Sequence, residues 1–282
     1  MGAEPFSRAA LEARLDRLVA GNRFTIAVVF PVVGAVALLA SAAALVPPPL
    51  RFNPYLLLFG TLVMRLPLLA GVAPLVDRRA ALALGALSAY AFAVEYVGVT
   101  TGWPYGAFAY GVDLGPMLFG AVPLGLPLFF LPLVLNSYLL CLLLLGRRAA
   151  SPAVRVPVVV GTVLAVDLVL DPGAVALGFW TYEAPGAYYG VPWSNFAGWL
   201  LSAVVAVGLV DVAFDRRALT ARLKACPFAL DDLVSFVVLW SVVNVAFGNW
   251  LAVGVAACLL AGLVRAERVD AAVLRTAPLG GR

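Results

Sequence analysis

Histidine is absent from this 282-residue chain, which removes the commonest general base and metal ligand together. The three cysteines, Cys141, Cys226 and Cys258, lie far apart and form no CxxC pair. Neither a zinc or iron–sulfur site nor a disulfide framework is therefore expected. Lys224 is the only lysine, and charged residues make up only 12% of the chain, about half the share of a soluble domain. There is no GxGxxG after a strand, no P-loop and no GxSxG elbow, which removes the usual nucleotide-binding and serine-hydrolase signatures. A cleavable signal peptide is not expected either, because Glu4, Arg8, Glu12, Arg14, Asp16, Arg17 and Arg23 interrupt the first 23 residues. The net charge of +4 is mostly arginine and implies no nucleic-acid partner.

What remains is hydrocarbon. The chain is 63% hydrophobic with a mean hydropathy of +1.02, the composition of an all-α, polytopic integral membrane helix bundle. Apolar runs place spans near 24–46, 54–76, 80–100, 121–146, 154–171 and 194–213. The segment 231–264 is long for one helix and short for two, and Gly248-Asn249 interrupts it. Seven to eight segments follow. Residues 1–23 read as an amphipathic cytoplasmic segment on the membrane surface, 24–264 as a single transmembrane domain, and 265–282 as a cytoplasmic tail. Arginine clusters in the N-terminal segment, at 77–79, at 147–155, at 214–230 and in the tail, whereas the loops 101–120 and 172–193 carry no Lys or Arg. The positive-inside rule puts those two loops outside and both termini inside, which needs an even number of crossings. Pro31, Pro67, Pro127 and Pro132 fall within the spans. Each removes a backbone donor and can kink its helix around a cavity, although membrane helices also tolerate proline without consequence.

The two arginine-free loops resemble each other. One runs from Glu95 through Thr-Gly-Trp-Pro-Tyr-Gly to Gly111. The other runs from Asp171-Pro-Gly through Phe-Trp-Thr-Tyr and Tyr-Tyr-Gly-Val-Pro-Trp-Ser-Asn195 to Trp199. Each begins at a carboxylate near the end of an apolar segment and continues through glycine, proline and aromatics. Trp103, Tyr105, Phe108 and Tyr110 in the first, and Phe179, Trp180, Tyr182, Tyr188, Tyr189 and Trp193 in the second, could form an interfacial anchoring belt. Their density, and the glycines at 102, 106, 111, 178, 186 and 190, favour an aromatic pocket for a long apolar ligand, able to shelter a carbocation. Asn195 closes the second loop as a polar contributor.

Charges inside a bilayer cost roughly 2.5–3.5 kcal/mol each on insertion scales, so Arg65, Glu95, Asp167, Asp171 and Asp211 are candidates for chemistry. Asp167 and Asp171 share a helix face. Two carboxylates this close and away from water do not both ionise readily, which leaves a protonated acid beside a carboxylate. Alternatively Asp171 caps its helix ahead of Pro172 and Asp167 pairs with Arg65. Glu95 has no partner in its own helix, and Arg65 is the expected one across the bundle. Asp211, near Asp215 and Arg216, reads as half of a structural ion pair. Asp231-Asp232 stands alone at a helix start, where acidic residues suit the helix dipole, and reads as structural.

Several segments carry a resemblance to a known family: Asn22-Arg-Phe-Thr-Ile26, Phe59-Gly-Thr-Leu-Val-Met-Arg-Leu-Pro67, Thr101-Gly-Trp-Pro-Tyr-Gly106, Gly111-Val-Asp-Leu-Gly-Pro116, Asp171-Pro172, and Gly190-Val-Pro192 with Asn195. From about residue 20 to 265 the chain resembles the membrane carotenoid-biosynthesis hydratases, in particular the haloarchaeal bisanhydrobacterioruberin hydratases. The resemblance implies a multi-pass enzyme of the cell membrane that adds water to the terminal isopropylidene double bonds of a long acyclic C50 carotenoid. It also implies neighbouring membrane enzymes of the same pathway and no need for a redox cofactor or metal. Such an alkene requires a positioned acid, for which Asp171 or Glu95 is the candidate. Asp167 would then position water or tune its neighbour, and Arg65 would hold the group together. A related carotenoid cyclase would use the same protonation and quench the cation internally. A prenyl-chain elongase would need two Asp-rich motifs, of which Asp167-x-x-x-Asp171 is too little. A carotenoid-binding or transport protein would use the same aromatic loops without chemistry.

Overall fold

The structure, a computed structural model, describes residues 7–269; residues 1–6 and most of the 265–282 tail lie outside it. Ten helices follow in order: α1 (Arg8–Gly21), α2 (Phe30–Ala42, preceded by a π-helical turn at Thr25–Val29), α3 (Pro54–Val72), α4 (Arg78–Thr101), α5 (Leu126–Leu145), α6 (Pro152–Leu177), α7 (Trp193–Ala213), α8 (Arg216–Ala225), α9 (Asp231–Ala246) and α10 (Trp250–Arg265). Among the described residues, seven helices are long and apolar enough to cross a membrane, and α10 is a shorter apolar one. The chain is an all-α polytopic bundle. Helix α5 is deeply enclosed: its side chains from Leu133 to Leu142 are buried without a break, as expected of a helix apolar all round.

One end of the bundle is basic. Arg8 of α1 donates to the carbonyls of Ala73 and Val76, Arg222 of α8 grips Asp16 of α1 and the carbonyls of Ala70 and Gly71, and Arg216 reaches the Ala149 carbonyl. The surface helix α1 is therefore clamped to the bundle rather than lying free beside it. After the break at Phe247–Asn249, α10 returns to this end, where Arg268 donates to the Cys226 carbonyl. Four short strands lie among the loops: β1 (Phe108–Tyr110), β2 (Met117–Leu118), β3 (Val122–Pro123) and β4 (Trp180–Tyr182).

Helix ends depart from the hydropathy reading in two informative places. The span expected at 121–146 starts only at Leu126, because 117–123 folds as the β2–β3 hairpin; Pro127 consequently sits in the first turn of α5, not inside it. The span expected to stop at Asp171 runs on to Leu177, so Asp171 lies inside α6 and caps nothing. Pro172 interrupts that helix chemically by leaving the Leu168 carbonyl without its donor. The Tyr188 hydroxyl supplies the missing bond at 2.9 Å. Pro132 in α5 frees the Leu128 carbonyl in the same way, and Arg65 Nε takes it at 3.1 Å. Both helices continue because a side chain from elsewhere satisfies the exposed acceptor.

Candidate active site at the roofed cavity

Both motif loops leave their helices through a left-handed glycine, Gly102 after α4 and Gly178 after α6, each with φ of 76°. That conformation costs glycine nothing and ends a helix cleanly. The loops then meet. β1 and β4 pair antiparallel with Phe108 opposite Tyr182 and Tyr110 opposite Trp180. Alternation along a strand sends side chains two apart to one face, so Phe108, Tyr110, Trp180 and Tyr182 form one aromatic surface, and all four line a single cavity of ≈ 320 Å³. Ala109 and Thr181 point outward and are exposed. The two-stranded ribbon is a roof.

Beneath it stand the carboxylates. Glu95 of α4 and Asp171 of α6 both line the cavity. Glu95 accepts a hydrogen bond from the Tyr110 hydroxyl, and Tyr182 bonds Asp171. Asn195 at the start of α7 donates through Nδ2 to Asp171 and, at 3.3 Å, to Asp167. Asp167 is wholly buried behind Asp171 and is not part of the lining. Its Oδ1 and the Trp180 indole Nε1 are buried polar atoms without a protein partner. Burial, then the nearby carboxylates, pushes the Tyr110 and Tyr182 phenols far above the ordinary tyrosine range. Tyr105 rises for the same leading reason. Those hydroxyls stay protonated and act as donors.

Tyr105 also lines the cavity. Its ring fits a slot between two glycines: a Cβ at Gly198 would come within 2.5 Å of the ring, and one at Gly98 within 3.1 Å. Its hydroxyl meets Ser202 Oγ at 2.7 Å. The remaining aromatics expected at the pocket lie elsewhere. Trp103 (60% exposed) and Trp193 (73% exposed) face outward, the placement of interfacial anchors. Tyr188 and Tyr189 pack edge to face at 5.0 Å outside the lining. Tyr188 holds the Leu168 carbonyl, burial setting its phenol at about 12, and Tyr189 accepts from the Leu251 amide at the start of α10.

Arg65 lines the cavity but pairs with neither Glu95 nor Asp167. Its guanidinium bonds Asp232 at the start of α9, and Asp232 also accepts from Asn136 Nδ2 at 2.7 Å. Asp231 pairs with Arg23 at 2.7 Å. The Asp231-Asp232 pair thus does not stand alone: each carboxylate, fully buried, meets an arginine from another helix. Asp211 is in an ion pair, but its partner is Arg155 at 2.7 Å, with Tyr138 donating at 2.5 Å. Among the described residues, no three His, Cys, Asp or Glu side chains gather to hold a metal ion.

Sequence reasoning missed the apolar half of the cavity. Trp199, Trp240, Phe130 and Met64 line it, and Trp199 stacks on Phe130 at 5.4 Å. Within helices that are apolar throughout, nothing in their spacing marks them.

The sequence profile of a family described as "Carotenoid biosynthesis protein" matches residues 52–263. The bisanhydrobacterioruberin hydratase of Haloarcula japonica is 64% identical over 266 residues, covering 94% of this chain and 90% of that one. No solved structure matches.

Proposed function

This chain belongs to the carotenoid biosynthesis protein family, and on that premise we propose that its roofed cavity adds water to the terminal isopropylidene double bond of a long acyclic C50 carotenoid, as a hydro-lyase of the cell membrane. The single observation that carries this reading is the convergence of Glu95 and Asp171 on one cavity under a wholly aromatic roof. An unactivated alkene needs a strong acid at one carbon and a base for the incoming water. Asp167 and Asp171, buried together around the Asn195 amide, hold one proton between them, since two adjacent carboxylates shielded from water do not both ionise readily. Asp171, the member that faces the cavity, passes that proton to the chain-end alkene and leaves a tertiary carbocation. The faces of Phe108, Trp180 and Tyr182 shelter the cation electrostatically. Water adds to it and loses a proton to Glu95, which Tyr110 orients. Proton transfer back from Glu95 to Asp171 restores the starting state, so one water is consumed and nothing is oxidised or reduced. Asp167 acts through Asn195 and Asp171 as a positioning residue. Arg65 fixes α3 against α9 below the cavity. The basic end of the bundle is the cytoplasmic one in this reading, so the roof lies near the opposite surface.

The test is chemical. Membranes containing the wild-type chain and the unhydrated C50 substrate should yield the mono- and dihydroxylated products. Asp171→Asn and Glu95→Gln should each lower the rate at least about 100-fold, within the range for a lost acid or base. Full activity in both, with normal folding, refutes the assignment. Deletion of the gene should accumulate the unhydrated precursor. A cyclase would instead leave ring-bearing pigments missing, and a binding protein would leave pigment chemistry unchanged.

A further inference from the structure

The cavity is too small for the molecule it is proposed to act on. At ≈ 320 Å³ it lies at the low end of pockets that bury a drug-sized ligand, about 300–1,000 Å³, which covers an end group and only part of a C50 chain. The rest must lie outside, so the cavity needs an opening that passes a rigid polyene. The β1–β4 roof covers the cavity on the side of the two aromatic loops. Its flank is open. Ala37, Leu50 and Leu56 line the cavity and are at the same time exposed, Leu50 and Leu56 each by 54%. They lie on α2, on the loop that joins it to α3, and on α3.

Helical geometry agrees. On α2, Phe30, Gly34, Ala37, Leu38 and Ser41 share the cavity-facing stripe, whereas Val33 and Val36 point outward at 60% and 57% exposure. Ala37 sits where the stripe meets that outer face. On α3, Leu57, Thr61 and Met64 face inward and Tyr55 and Phe59 outward, with Leu56 and Gly60 at the border. A Cβ built on Gly60 meets nothing within 4 Å. The border residues are small or at the edge, and the surface outside them is bare hydrocarbon, which in a membrane helix faces lipid.

The geometry points to a lateral portal between α2 and α3, framed by Ala37, Leu56 and Gly60, through which one terminus of the polyene slides from the bilayer to the carboxylates while the remaining chain stays in lipid along the Val33–Val36 face. This rests on the proposed hydratase reading for the identity of the occupant. Ala37 and Gly60 are then specificity-determining positions: they admit a thin unsaturated chain and set how wide an end group passes.

The test uses the full chain in phospholipid vesicles carrying the acyclic C50 alkene, with two readouts: quenching of tryptophan fluorescence by the arriving polyene, and formation of hydroxylated product. Ala37→Trp and Gly60→Trp should slow both at least about tenfold. Leu69→Trp, on the lipid face of α3 and off both the lining and the Val33–Val36 face, should stay within about twofold of wild type. To keep the question open if a tryptophan variant fails to fold, Ala37→Cys in a Cys258→Ser background is folded first and then modified. A bulky aromatic maleimide should block both readouts, and a methylthio group should block neither. Wild-type rates of quenching with bulk at position 37 or 60 overturn the portal. Quenching that is blocked by bulk, from a chain that yields no hydroxylated product, upholds the portal and removes the hydratase reading instead.

Discussion

Removing the Arg65 guanidinium should cost more than any single change on the cavity wall, and removing its partner too should recover most of the loss. Arg65 and Asp232 have side chains 10% and 0% exposed. Arg65→Met takes from Asp232 its one cationic partner among the described residues and from the Leu128 carbonyl, already freed by Pro132, its donor. Asp232 is left with one neutral hydrogen bond, from Asn136. Breaking a buried pair on one side costs about 3–5 kcal/mol. Asp232→Leu should cost a similar amount, because the guanidinium is then the uncompensated group. In the double variant no charge remains. What persists is an Asn136 amide and a Leu128 carbonyl without partners, about 1–3 kcal/mol for each such group, so adding Asn136→Leu should recover more still. Unfolding of the four proteins in detergent, followed by denaturant titration, measures the coupling directly. A coupling energy below about 1 kcal/mol refutes the claim that this pair holds α3 to α9. Hydration separates structure from chemistry: the double variant should keep activity in proportion to its folded fraction. Loss of activity in a fully folded double variant would place Arg65 among the groups that act on substrate.

Gly198→Ala should misplace Tyr105, since the new methyl would fall 2.5 Å from its ring; overpacking of this kind costs about 1–3 kcal/mol, and the matching readout is a fall in activity that Tyr105→Phe alone does not reproduce. Alkaline titration followed by phenolate absorbance should show Tyr105, Tyr110, Tyr182 and Tyr188 silent until the protein unfolds. The sign follows from the raised phenols: the folded state holds these protons more tightly than a free tyrosine at about 10. Their contribution to stability is therefore complete below that pH and drains away as pH climbs through the value of about 12 for Tyr188 and beyond for the others. Tyr105, Tyr110 and Tyr182 ionising near pH 10 in folded protein would refute their burial around the cavity.

Hydropathy and arginine placement carried the bundle, its span count and the common basic end, because membrane insertion is decided by summed apolar length, a property local to each segment. The pairing of the two aromatic loops was legible as likeness, but its geometry was not: three-residue strands such as Phe108–Tyr110 and Trp180–Tyr182 are set by contacts some seventy residues apart. Asp171-Pro172 read as a helix end because proline removes a donor, and the competing fact, a Tyr188 hydroxyl waiting for the Leu168 carbonyl, exists only in three dimensions. The partner of Arg65 was misjudged for a related reason. Asp232 was assigned to the helix dipole on its own helix, whereas the cost of a bare guanidinium beside the cavity is met by whichever carboxylate the fold delivers. Trp240 and Met64 carried no signal, since a cavity wall inside lipid has the same composition as the lipid-facing side.

The β1–β4 ribbon has a bearing on how the protein is made. Its first strand leaves the ribosome with Glu95 already in place, but its second follows two further membrane helices, α5 and α6. Until those have been inserted, the early half is an open trough with Phe108 and Tyr110 bare. The ribbon is thus a clasp that closes only late in synthesis. A nascent or truncated chain ending before α6 would hold Glu95 without Asp167 and Asp171, under half a lid.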